Sequence, residues 1–100
     1  MQAETAIAIL KRHELELRQL GIESLFLFGS TARGEATSNS DVDVAVKLTD
    51  IPSGLAIFGR LDRIRERLTD LLSKRVDVIL EPSRPGRMKS AIERDRRRAF

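Results

Sequence analysis

The chain contains no cysteine, no tyrosine and no tryptophan, and a single histidine. Without cysteine there is no disulfide and no thiolate metal site. Four phenylalanines are the whole aromatic supply. Three of them, Phe26, Phe28 and Phe58, fall in apolar core patterns, which leaves Phe100 alone to stack on a base. Direct nucleic-acid binding is therefore not expected. No apolar run approaches the roughly 18 residues of a membrane span, and the N-terminus lacks a signal-peptide pattern. These absences describe a soluble, cytoplasmic protein that does not engage a membrane.

What is present suits one folded domain over residues 1–100. The hydrophobic fraction is 41%, as in globular proteins. A chain this short builds only a modest core, so a partner would help its stability. Charge is unevenly spread. Residues 1–80 carry 11 basic and 12 acidic side chains, whereas residues 81–100 carry 7 basic and 3 acidic. The body is balanced and the tail is basic. The run Arg96-Arg97-Arg98 is first a solvated face, next a contact for an acidic partner, and last a contact for RNA.

Residues 3–20 read as one helix, with Ala6, Leu10, His13, Leu17 and Leu20 on one face and Gly21 as its stop. His13 sits at the edge of that face with no motif around it, which suits a structural or surface role. Ile22–Phe28 is an apolar strand. Ser30–Ala36 suggests a short helical turn, and residues 37–40 a polar loop. Val42–Leu48 is a second strand. Ser53 offers a cap for an amphipathic helix marked by Leu55, Phe58, Leu61, Ile64, Leu68 and Leu71. Val76–Leu80 is a third strand. After a turn region from Pro82 to Gly86, Met88, Ala91, Ile92 and Ala99 make a weak stripe on a last basic helix. The order is α-β-α-β-α-β-α, an α+β fold with a mixed three-stranded sheet flanked by helices. The helix between strands two and three is long enough for a right-handed parallel crossover.

The chemistry sits between strands one and two. Strand one ends in Gly29-Ser30, and ten residues later strand two opens with Asp41-Val42-Asp43. Gly29 has no Cβ, so a phosphate can approach its backbone. Ser30 adds a hydroxyl and an outward N–H at the start of a turn. Arg33 either touches a phosphate or braces the loop. Asp41 and Asp43, two apart on a strand, project from one face while Val42, Val44 and Val46 pack on the other. Two carboxylates so close repel unless a cation sits between them, and oxygen ligands favour Mg²⁺ or Mn²⁺ over zinc. Asp77, inside an apolar strand, is costly unless paired or metal-bound, which makes it the third ligand. Three carboxylates can hold two ions and promote in-line phosphoryl displacement. For Ser30 and Asp41 to meet one ligand, strands one and two must pair antiparallel. Asp77, near the start of its own strand, then requires strand three to run parallel to strand two.

At Gly29-Ser30-Thr31-Ala32-Arg33-Gly34, Ser40-Asp41-Val42-Asp43 and Val76-Asp77-Val78 the chain resembles the minimal nucleotidyltransferases of the DNA polymerase beta-like superfamily. The resemblance runs from the first helix to about Leu80. It implies the polymerase beta-like fold, with Gly29 and Ser30 as the nucleotide-binding motif and Asp41, Asp43 and Asp77 as the catalytic, metal-holding carboxylates. It implies transfer of AMP from ATP to a hydroxyl, with Mg²⁺, two ions in all, as cofactor. Free-standing minimal members are commonly the antitoxin of a type VII toxin–antitoxin pair whose partner is a HEPN-domain RNase. The implied reaction adenylylates a tyrosine of that toxin. This chain has no tyrosine, so such an acceptor lies on another molecule. Two alternatives remain: neutralisation by stable complex formation without chemistry, or nucleotidyl transfer to a small molecule or RNA.

Overall fold

The computed structural model describes residues 2–34, 41–81 and 96–100. The first helix, α1, runs over Ala3–Arg12, with Glu4 in its first turn and Lys11 and Arg12 in its last. Those charges match the helix dipole at each end. Ala3, Ala6 and Leu10 are buried. The expected single helix breaks at His13, whose φ of −104° and ψ of 19° leave the helical region. Its N–H is shared between the carbonyls of Ile9 and Leu10, at 3.3 and 3.2 Å. The chain resumes as α2, Glu14–Gln19, which buries Leu17. His13 Nδ1 lies 3.4 Å from Glu16 Oε1, so the lone histidine serves the helix junction.

Gly21, at a φ of +98°, turns the chain into β1, Ile22–Phe28. There follow α3, Gly29–Arg33, and β2, Val42–Leu48. After β2 come α4, Ala56–Leu72, β3, Val76–Glu81, and a short β4, Arg97–Arg98. The sheet order is β3-β2-β1-β4. β1 and β2 are antiparallel and β2 and β3 parallel, as the shared-ligand argument required. Among the described residues the sheet has four strands rather than three, because the basic tail adds β4 antiparallel to β1.

Side chains alternate across the sheet with the period of two that strands impose. Leu25, Leu27, Val42, Val44, Val46 and Val76 join Leu10, Leu17, Ile64, Leu68 and Leu72 in the main core. Phe26, Phe28 and Ala45 form a second cluster with Ile79. β1 is thus covered on both faces, which explains its unbroken apolar run.

Several expectations are corrected. Ser53 does not cap α4, which begins at Ala56 without a side-chain cap. Its first turn meets the core through Ile57 alone. Leu55 and Phe58 are 83% and 64% exposed, and burial begins at Ile64. Phe100, by contrast, is buried, with the Arg18 guanidinium 5.0 Å from its ring centroid. The two phenylalanines therefore exchange the places foreseen for them. Of the last-helix stripe, Met88, Ala91 and Ile92 lie outside the described residues, as do the 37–40 loop, the Pro82–Gly86 turn and the end of the Ser30–Ala36 turn. Ala99 is not helical. Its N–H donates to the Leu25 carbonyl at 2.8 Å, and the Leu25 N–H donates to the Phe100 carbonyl at 3.0 Å. No helix among the described residues is long and apolar enough to cross a membrane.

Candidate active site

The antiparallel register sets Phe28 opposite Asp43, and the parallel register sets Asp43 beside Asp77. The chain leaves β1 at Phe28 and turns directly into α3 at Gly29. Gly29-Ser30, Asp43 and Asp77 therefore meet at one edge of the sheet, with Asp41 one residue ahead of β2. Asp43 lies between Val42 and Val44 of the main core, so its carboxylate takes the opposite face, the one carrying Phe28 and Ala45.

Gly29 is the contact between the turn and the carboxylates. Its φ is +72°, and a Cβ built there would stand 2.5 Å from Asp43 Oδ2. Only glycine allows both that backbone conformation and that approach. The first N–H groups of α3 are not taken by a capping side chain. Gly34 ends α3 in the left-handed region at a φ of +76°.

Burial holds the Asp43 carboxyl above its ordinary range, and the nearby charges of Asp77 and Asp41 push in the same direction. The Arg33 guanidinium opposes them. A row of mutually repelling oxygen donors suits a divalent ion that relieves the repulsion. Among the described residues, no three His, Cys, Asp or Glu side chains gather into a metal-holding cluster. The expected trio is a row in register, not a closed cage. The reasoning for Asp77 is also corrected. β3 is an edge strand and Asp77 is exposed, so no buried charge demands a partner there. Its claim rests on its register with Asp43.

The sequence reading missed the tail's place beside the site. The Arg96 and Arg98 guanidiniums lie 4.5 and 5.9 Å from the Phe26 ring centroid. Arg96 Nη1 also stands 3.7 Å from Glu81 Oε1. The one available signal was three arginines followed by apolar Ala99 and Phe100, and a two-residue strand leaves no periodicity to read. A groove of about 370 Å³ between α2 and α4, lined by Glu16, Leu20, Arg67 and Asp70 among others, contains none of the carboxylate row.

The family model described as "Nucleotidyltransferase domain" matches residues 10–99. The chain is similar to Protein adenylyltransferase MntA of Thermococcus cleftensis, at 40% identity over 77 residues, covering 76% of this chain and 74% of that protein. Among solved structures it resembles one presented as a candidate minimal nucleotidyltransferase, at 28% identity and a TM-score of 0.77, covering 97% of this chain and 95% of that one. It shares its fold with a chain of the Shewanella oneidensis complex between a tri-AMPylated HEPN toxin and an MNT antitoxin. That likeness has 18% identity and a TM-score of 0.62, and covers 94% of this chain and 71% of that one. The family match takes in α3, β2 and β3, the elements that carry the Gly-Ser turn and the aspartates, and on that ground this chain belongs to the nucleotidyltransferase domain family.

Proposed function

We propose that the chain is a protein adenylyltransferase that moves AMP from ATP to a tyrosine hydroxyl of a helical HEPN toxin, and so acts as its antitoxin. The observation that carries the reading is the packing of Gly29 against Asp43, which sets a phosphate-accepting turn against a carboxylate row. The relative MntA, named as a protein adenylyltransferase, supports the protein acceptor. The structural neighbour in which a HEPN toxin is AMPylated supports the partner.

In this reading the acceptor oxygen bonds to the α-phosphorus, the bond from that phosphorus to the bridging oxygen breaks, and pyrophosphate leaves. The hydroxyl proton passes to the exposed Asp77 carboxylate or to water. Asp41, Asp43 and Asp77 would hold Mg²⁺, which when bound favours the ionised hydroxyl and offsets charge on the leaving group. Gly29 admits the phosphates close to the backbone, and Ser30 donates to them. Arg33 sets a positive charge near the Asp43 carboxylate. The absence of tyrosine from this chain puts the acceptor on the partner.

Incubation with α-labelled ATP, Mg²⁺ and the protein encoded by the neighbouring gene tests the reading. Label should appear on a partner tyrosine and be lost with Asp41→Ala/Asp43→Ala. Equal labelling by that double variant would overturn the assignment.

A further inference from the structure

Beside α3 lies a second cleft, of about 560 Å³, that the transfer reaction does not account for. It is lined by Gln2, Ala3 and Glu4 of the first helix, by Ala32, Arg33 and Gly34 at the end of α3, and by Arg97 of β4. Two guanidiniums face it from different elements. Arg97 Nη1 donates to Glu4 Oε1 at 3.1 Å, and that carboxyl is held below its usual range by a backbone hydrogen bond and then by Arg97. The bland reading of Glu4 is a first-turn acid favoured by the helix dipole. That reading accounts for Glu4 and leaves unexplained why Arg33 and Arg97 share a polar cleft.

We propose that this cleft is the docking site for an acidic side chain of the acceptor protein, and that Glu4 stands in for that carboxylate in the unbound chain. The inference rests on the protein-acceptor reading and specifies what that acceptor carries near the modified residue. Three observations support it. First, Arg97 already holds a carboxylate, that of Glu4, so a carboxylate is the chemistry that fits it. Second, the Glu4–Arg97 pair is open to solvent, with side chains 71% and 43% exposed. An exposed pair contributes little, so an incoming carboxylate can displace Glu4 at small cost. Third, Arg33 lines the cleft from the end of α3, the short helix that begins with Gly29 and Ser30 of the candidate site. A carboxylate seated here is therefore one short helix away from the carboxylate row. Phosphate recognition is the competing chemistry for two arginines, and the test separates the two.

The experiment is a binding titration without ATP or metal, so its outcome is independent of whether transfer occurs. The probes are fluorescent pentapeptides with a central tyrosine flanked by four glutamates or by four glutamines, read by anisotropy at low salt. Inorganic pyrophosphate serves as competitor. The glutamate peptide should bind at least about tenfold more tightly than the glutamine peptide. Arg97→Gln should weaken it by about tenfold, in the range of a charge-assisted contact. Glu4→Gln should tighten it by about two- to fivefold, because the internal competitor is gone. A merely structural pair would move both variants the same way. Arg65→Gln, at an exposed arginine of α4 that pairs with Asp62, should leave binding unchanged. Equal affinity for both peptides, or weakening by Glu4→Gln, overturns the proposal even where Arg97→Gln fails to fold. Displacement of the peptide by pyrophosphate at lower concentration than by free glutamate peptide, with the same dependence on Arg97, overturns the carboxylate assignment in favour of a phosphate site. If AMP transfer to the partner fails while the peptide results hold, the function is wrong and the cleft stands.

Discussion

Replacing Gly29 with alanine separates the two demands made on that position. The first is conformational. Alanine at a φ of +72° carries left-handed strain of about 1–2 kcal/mol. The second is contact. The new Cβ would stand 2.5 Å from Asp43 Oδ2, with Asp43 Cγ at 3.3 Å and Cβ at 3.5 Å. Only the carboxylate tip is in serious overlap, so the side chain relieves it by turning away about 1 Å while the fold stays intact. A displacement of that size at a reacting centre costs about a hundredfold in rate. Gly34→Ala is the control. Gly34 has a comparable φ of +76°, yet a Cβ there meets nothing within 4 Å among the described residues. Urea melts of both variants should show similar losses of about 1–2 kcal/mol, a fall in Tm of about 4–8 °C per kcal/mol for a domain of this size. Initial rates of AMP transfer should fall about a hundredfold for Gly29→Ala and less than about threefold for Gly34→Ala. Equal activity losses in the two variants, or full activity in Gly29→Ala, would refute the link between the turn and the carboxylate row.

Three further outcomes follow from the same structure. Asp43→Asn should abolish transfer and stabilise the fold near neutral pH. The Asp43 carboxyl is raised above its ordinary 3.8, so its ionisation opposes folding. The variant's advantage should be absent below that value and complete above the raised one, as thermal melts across pH will show. Thr31 Oγ1 is buried and without a hydrogen-bond partner; Thr31→Val keeps the branched shape and removes the orphan, and should raise Tm by an amount equivalent to about 1 kcal/mol. Glu16 accepts from Arg67 Nη2 at 3.0 Å and from its Nε, and Arg67 lowers its carboxyl below 4.5. That contribution is present above 4.5 and lost as pH falls through the lowered value, so Glu16→Gln should show a shallower acid limb in a plot of Tm against pH.

The site was more legible in the sequence than the surfaces around it. Asp41-Val42-Asp43 alternates carboxylate and core residue, and that alternation alone fixes which face carries the chemistry. The same logic places Asp77 beside Asp43, because two short strands joined by a helix pair in parallel. Arg33 was left between two roles, since its length lets it reach either and only packing decides. Leu55 and Phe58 match the apolar period of α4, yet both stay exposed while Ile57 and Leu61 take the places against the core, a choice of face that the period does not make. Arg97 and Arg98 carry no strand signal. They pair because Leu25–Phe28 offers an outer edge, a long-range fact that local pattern does not hold.

That outer edge has a consequence in time. The partners of Leu25 are Ala99 and Phe100, whereas β2, the other neighbour of β1, begins at Val42. On a ribosome adding about 5–20 residues per second, β1 is joined on one side early and waits about 4–15 s for the other. During that interval Leu25-Phe26-Leu27-Phe28 presents an unpaired apolar edge, the kind of surface on which chains add to one another. Synthesis rate and crowding on the ribosome, more than the stability of the finished fold, should therefore govern the yield of this protein.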